Sequence, residues 1–72
     1  LKPSIGRIVH FVIGDNHVAA IITAVWSDTC VNLRLFQDGS NTDNGKNWGE
    51  WATSRSLDES AHDGTWHWPE KV

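Results

Sequence analysis

Five tryptophans, four histidines, one cysteine and a polar run between residues 37 and 47 are the parts of this sequence with chemistry to offer. Cys30 paired with a histidine would make a nucleophile and its base. It stands instead beside turn residues at the start of a strand, and reads as a small, half-buried hydrophobe. His10, His17, His62 and His67 have no spacing that puts two of them on one helical face, as an HExxH segment does. His10 reads as a satisfied, partly buried imidazole, and His67 faces away from its neighbours Trp66 and Trp68 on a strand. No metal ligand set and no cofactor are therefore expected. The segment 38–45 has the oxygen-rich composition of a calcium loop, but lacks its DxDxDG order, a later bidentate glutamate and flanking helices. Asp58, Glu59 and Asp63 read as a solvated turn, and Asn41, Asn44 and Asn47 lie outside any glycosylation sequon.

The tryptophans admit two readings. Each indole buries a large area, so five of them can replace the bigger core that a short chain lacks. Alternatively, two or three form a stacking platform for a base, a cation or a peptide, with nearby cations meeting a phosphate or carboxylate. The second reading names Trp48, Trp51, Trp68, Arg34, Arg55 and Lys46 as ligand-binding residues. Trp66 and Trp68, two apart on a strand, share a face; Trp66 is expected to be buried and Trp68, beside Pro69, only partly covered.

The elements that must position these residues are strands. Arg7–Ile13 alternates, with Val9, Phe11 and Ile13 on one face and Ile8, His10 and Val12 on the other. Gly14-Asp15-Asn16 reads as a hairpin turn. Val18–Trp26 is rich in β-branched residues and is a strand by composition. Ser27-Asp28-Thr29 turns the chain into Val31–Phe36, which sends Val31, Leu33 and Leu35 inward and Asn32 and Arg34 outward. Gln37–Asn47 has no apolar residue and reads as a long exposed, mobile loop. A fourth strand is expected around 51–54, then one helical turn near Leu57–Ala61, a polar turn over 58–64, and a short fifth strand, Thr65–Trp68, stopped by Pro69. Strands this short and close, in a chain too small for a sandwich, predict an all-β fold: a five-stranded antiparallel barrel, one domain over residues 1–72.

The run of strand, tight turn, long AAIITAVW strand, tight turn and VNLRLF strand resembles the central meander of Tudor- and KOW-type small barrels. The segments PSIGRIVHF, AAIITAVWSDTCVNL and GTWHWPE are similar to a group of short uncharacterised bacteriophage and bacterial proteins. That resemblance implies a phage or prophage accessory protein and carries no established activity with it.

Val18–Trp26 is apolar on both faces: Val18, Ala20, Ile22, Ala24 and Trp26 on one, Ala19, Ile21 and Val25 on the other. A barrel strand facing water should alternate, so a second subunit or the tail from Trp66 is expected to cover it. A lone cysteine allows no internal disulfide, which adds weight to a homo-oligomer. Six Lys and Arg against nine Asp and Glu give a net charge of −3, with the cations scattered singly, so phosphate-driven nucleic-acid binding is disfavoured. No stretch is long enough to cross a membrane as a helix, and the LKPSIGR opening is not followed by a cleavable apolar segment, so a cytoplasmic location is expected. These features together favour a non-enzymatic, oligomeric binding module that sequesters a host nucleotide-derived immune signal. A module that inhibits or recruits a host protein is the alternative, and a KOW-like nucleic-acid binder the third reading.

Overall fold

The computed structural model describes residues 2–37 and 51–69. The chain forms five strands: β1 (Ile8–Ile13), β2 (Asn16–Val25), β3 (Cys30–Phe36), β4 (Trp51–Ser56) and β5 (Trp66–His67). They make one curled, barrel-like sheet in the order β4-β3-β2-β1-β5, with every neighbouring pair antiparallel. The first four strands are a meander, and the last returns to pair with β1. Except for Gln37, the polar loop read as mobile lies outside the described residues. Among the described residues, no helix is long and apolar enough to cross a membrane.

Turn chemistry sets the first register. Ile13 and Asn16 are partners, so the β1–β2 hairpin has the two-residue loop Gly14-Asp15. Gly14 has φ +60°, the left-handed conformation that a type II′ turn requires at its first central position. Its N–H donates to Asp63 Oδ1 at 2.8 Å, tying the hairpin tip to a turn 49 residues later. This register pairs Val9 with Ala20 and Phe11 with Val18, so the apolar rows of both strands meet on one face. Val31, Leu33 and Leu35 extend that face, and Ala52 and Trp66 complete the core.

Two bulges curl the sheet. Thr23 is the extra residue between the pairs Ile22–Leu33 and Ala24–Asn32. A second irregularity separates Val31–Arg55 from Leu33–Ala52, with the surplus residue on β4, where Ser54 has φ +52°. Extra residues bend a strand and sharpen its twist, which brings the far edges of a sheet toward each other. Asn32 stabilises both irregularities: its Oδ1 accepts the Ser54 N–H at 2.7 Å and the Trp26 indole N–H at 2.9 Å. Trp26 thus departs from the expected row with Val18, Ala20 and Ile22. The bulge at Thr23 resets the alternation, Trp26 falls past the end of β2, and its side chain is 64% exposed.

The edges meet below the core. Leu57 forms an isolated parallel bridge with Trp66, and the Asp58 N–H donates to the Trp66 carbonyl at 2.9 Å. Trp66 is fully buried, and its indole N–H donates to the Arg55 carbonyl at 3.1 Å. The segment 57–61, expected as a helical turn, is this bridge followed by a turn; Ala61 has φ +60°, which a right-handed helix does not allow.

Candidate functional site

The convex outer face of the sheet carries the side chains that the core does not use. Because side chains alternate along a strand, register partners share a face. Ile8 pairs with Ile21, Ile21 with Arg34, and Arg34 with Trp51, giving one row across β1, β2, β3 and β4. A second row runs His67, His10, Ala19 and Phe36 across β5, β1, β2 and β3. Ile8 is 58% exposed and Trp51 63%; Phe36 and Ala19 are also exposed, and Ile21 is half-buried. Arg34 is exposed at the middle of this apolar surface.

Of the six residues expected to bind a ligand, the structure brings Arg34 and Trp51 together as direct cross-strand neighbours. Arg55 is half-buried and bonded within the fold. Its Nε donates to the Thr53 carbonyl at 3.1 Å and its Nη1 to the Gly64 carbonyl at 3.3 Å, fastening β4 to the turn before β5. Trp68 packs partly buried against the core, edge-on to Trp66 with ring centroids 5.4 Å apart. The Arg7 guanidinium lies 5.3 Å from its ring centre, within cation–π range. The burial order expected for Trp66 and Trp68 is the one found. Trp48 and Lys46 lie outside the described residues.

A second constellation stands on the same face, at the β5 end. His17 on β2, His10 on β1 and His67 on β5 converge, each offering one imidazole nitrogen, and these nitrogens lie within 4.8 Å of one another. The rings meet edge-on: interplanar angles are 71° for His10–His17, 82° for His10–His67 and 69° for His17–His67. His67 is buried, His10 half-buried and His17 exposed, so the group runs from the sheet surface out to solvent. His67 Nδ1 lies 2.8 Å from the Trp68 carbonyl oxygen, which can only accept, so Nδ1 carries a proton. In the neutral ring this leaves the Nε2 lone pair facing His17 Nδ1, 3.0 Å away.

The remaining histidine is part of a turn. His62 Nδ1 contacts Asp58 Oδ2, and Asp58 Oδ1 accepts the Ser60 N–H at 2.8 Å. The His62 hydrogen bond, with help from Ser60, holds the Asp58 carboxyl below the usual carboxylate range. Cys30 is on β3 with Ser56 of β4 as register partner, two strands removed from β1.

The chain matches no family model, no curated protein and no solved structure. Spacing along the chain hid the histidine cluster, because its members are up to 57 positions apart in sequence and meet only across strands. One signal was present. A two-residue loop at Gly14-Asp15 makes His10 the partner of Ala19, which puts His17 diagonally next to it on the same face. The approach of His67 depends on the β1–β5 pairing, which no local pattern encodes.

Proposed function

We propose that the domain is a non-enzymatic binding module that docks through the outer face of β1–β4, first onto a second copy of itself. The observation that carries this reading is the row Ile8, Ile21, Arg34, Trp51, flanked by Phe36, which sets large apolar side chains and one cation on an open sheet surface. Contiguous exposed apolar surface marks interaction sites, and aromatic residues with arginine are the side chains enriched there. A second copy suits the chain's size, since a domain this small, without a disulfide, gains from burying a further apolar face. A twofold axis that set each Arg34 guanidinium over the opposing Trp51 indole would make the contact reciprocal. Sedimentation equilibrium tests the reading. Wild-type protein should associate, and Ile21→Asp should be monomeric with an unchanged circular dichroism spectrum. A wild type that stays monomeric at millimolar concentration overturns it.

The Arg34–Trp51 pair favours a second reading within the same class, capture of a nucleotide-derived signal. An exposed indole offers a stacking surface for a base, and a neighbouring guanidinium a fork for phosphate. Native mass spectrometry of protein purified from phage-challenged cells should then show a retained small molecule that Trp51→Ala loses. Unliganded protein from such cells removes this reading and leaves the first intact.

A further inference from the structure

We propose that His10, His17 and His67 form a binding site for one divalent transition-metal ion, zinc by preference. Three strands bring three imidazole nitrogens within 4.8 Å of one another, and no carboxylate belongs to the group among the described residues. An all-nitrogen set of borderline softness selects zinc, copper, nickel or cobalt over magnesium and calcium, which take oxygen ligands. Tetrahedral zinc with bonds of about 2.0–2.1 Å separates its ligand nitrogens by about 3.3 Å. The His17–His67 separation of 3.0 Å is already close to that value. Exposed His17 sits near the β1–β2 hairpin and can shift by side-chain rotation toward the other two.

The support around His67 points the same way. Metal-ligating histidines commonly donate their other ring N–H to a carbonyl or carboxylate, which fixes the tautomer and aims the free lone pair. The His67 Nδ1 bond to the Trp68 carbonyl does this, aiming Nε2 at the cluster. The rings are near-perpendicular, so the three imidazoles approach one another edge-on without stacking. On binding, His17 turns a lone pair toward the metal in place of the hydrogen bond that it shares with His67. Three protein ligands leave the fourth position to water or to an exogenous ligand on the His17 side, where the site meets solvent.

The ion would also be structural. β5 has two residues, and a metal held from β2, β1 and β5 cross-links the returning strand to the meander. A small fold stapled this way gains stability by mass action with the metal.

Isothermal titration with zinc chloride, on wild type and on His17→Ala and His62→Ala, tests the site. His17 is exposed and lies in no core cluster, so its removal leaves the fold in place. Wild type and His62→Ala should bind one zinc per chain with equal affinity, and His17→Ala should bind at least about tenfold more weakly. Magnesium chloride should give no heat. With zinc at a hundredfold excess over its Kd, the wild-type Tm should rise by about 10–20 °C. Cobalt(II) should give the intense visible absorption of a tetrahedral site, absent in His17→Ala. Equal zinc affinity in wild type and His17→Ala, or binding lost in His62→Ala and retained in His17→Ala, overturns the proposal. So does a wild type that takes up no zinc at millimolar concentration.

Discussion

Trimming Trp66 to phenylalanine removes two things at once, and the structure says how much each contributes. The indole N–H donates to the Arg55 carbonyl at 3.1 Å, within the seam that joins β4 to β5. Losing a hydrogen bond of this kind costs about 1 kcal/mol. The ring is fully buried, so the lost volume of about 40 Å³ leaves a cavity worth about 1 kcal/mol at ~24 cal/mol per Å³. The transfer free energy of the removed carbons adds up to about 1 kcal/mol more. The sum is about 2–3 kcal/mol, a Tm drop of about 10–20 °C in a chain of this size. Trp68→Phe keeps an aromatic edge against Trp66 and empties only a partly buried position, so it should cost about 1 kcal/mol. Urea denaturation followed by far-ultraviolet circular dichroism reads both. A Trp66→Phe variant within 0.5 kcal/mol of wild type, or a larger loss in Trp68→Phe, would refute the view that Trp66 seals the barrel (about the threshold for a neutral substitution).

Gly14→Ala places a side chain at φ +60° in the two-residue hairpin and should destabilise by about 1–2 kcal/mol in urea denaturation; an unchanged midpoint would show that the turn relaxes freely. Asn32→Ala leaves the Ser54 N–H and the Trp26 indole N–H without their acceptor and should cost about 1–2 kcal/mol, whereas Trp26→Phe, at an exposed position, should cost under about 1. Carbon-detected NMR titration should find the Asp58 carboxyl titrating below 3.8. Since its folded pKa is depressed, the Asp58–His62 contact contributes stability above the unfolded value and loses it as pH falls through the folded one; His62→Ala should move the Asp58 titration upward. No hydrolysis of nucleotides or peptides is expected; turnover that disappears in Cys30→Ala would contradict that.

Much of the sheet was legible because its signals are local. Gly14-Asp15 sets a hairpin register, and Val9, Phe11, Ile13, Val31, Leu33 and Leu35 alternate as half-buried strands must. Bulges were not legible: Thr23 and Ser54 look like ordinary polar strand residues, yet each shifts a register and so decides where Trp26 and Arg55 point. The apolar second face of β2 was visible in Ala19 and Ile21, but the row-mates Ile8, Arg34 and Trp51 follow only from pairings across four strands, and Val25, expected on that face, lies past the Thr23 bulge and pairs with Val31 of the core row. Of the residues expected from their types to bind a ligand, Arg34 and Trp51 share an exposed row, and Arg55 and Trp68 make contacts within the fold. The histidine cluster was hidden because its members stand on three strands, and only the β1–β5 return makes three of them neighbours.

The docking reading is tested most directly by amide NMR spectra recorded over a dilution series from about one millimolar to ten micromolar. Concentration-dependent shifts should concentrate on Ile8, Ile21, Arg34, Phe36 and Trp51 and vanish in Ile21→Asp, while core amides such as those of Phe11 and Leu33 stay still. Spectra that do not change with dilution, or shifts that map to another surface and persist in Ile21→Asp, would contradict the assignment of this face as the site where the domain binds.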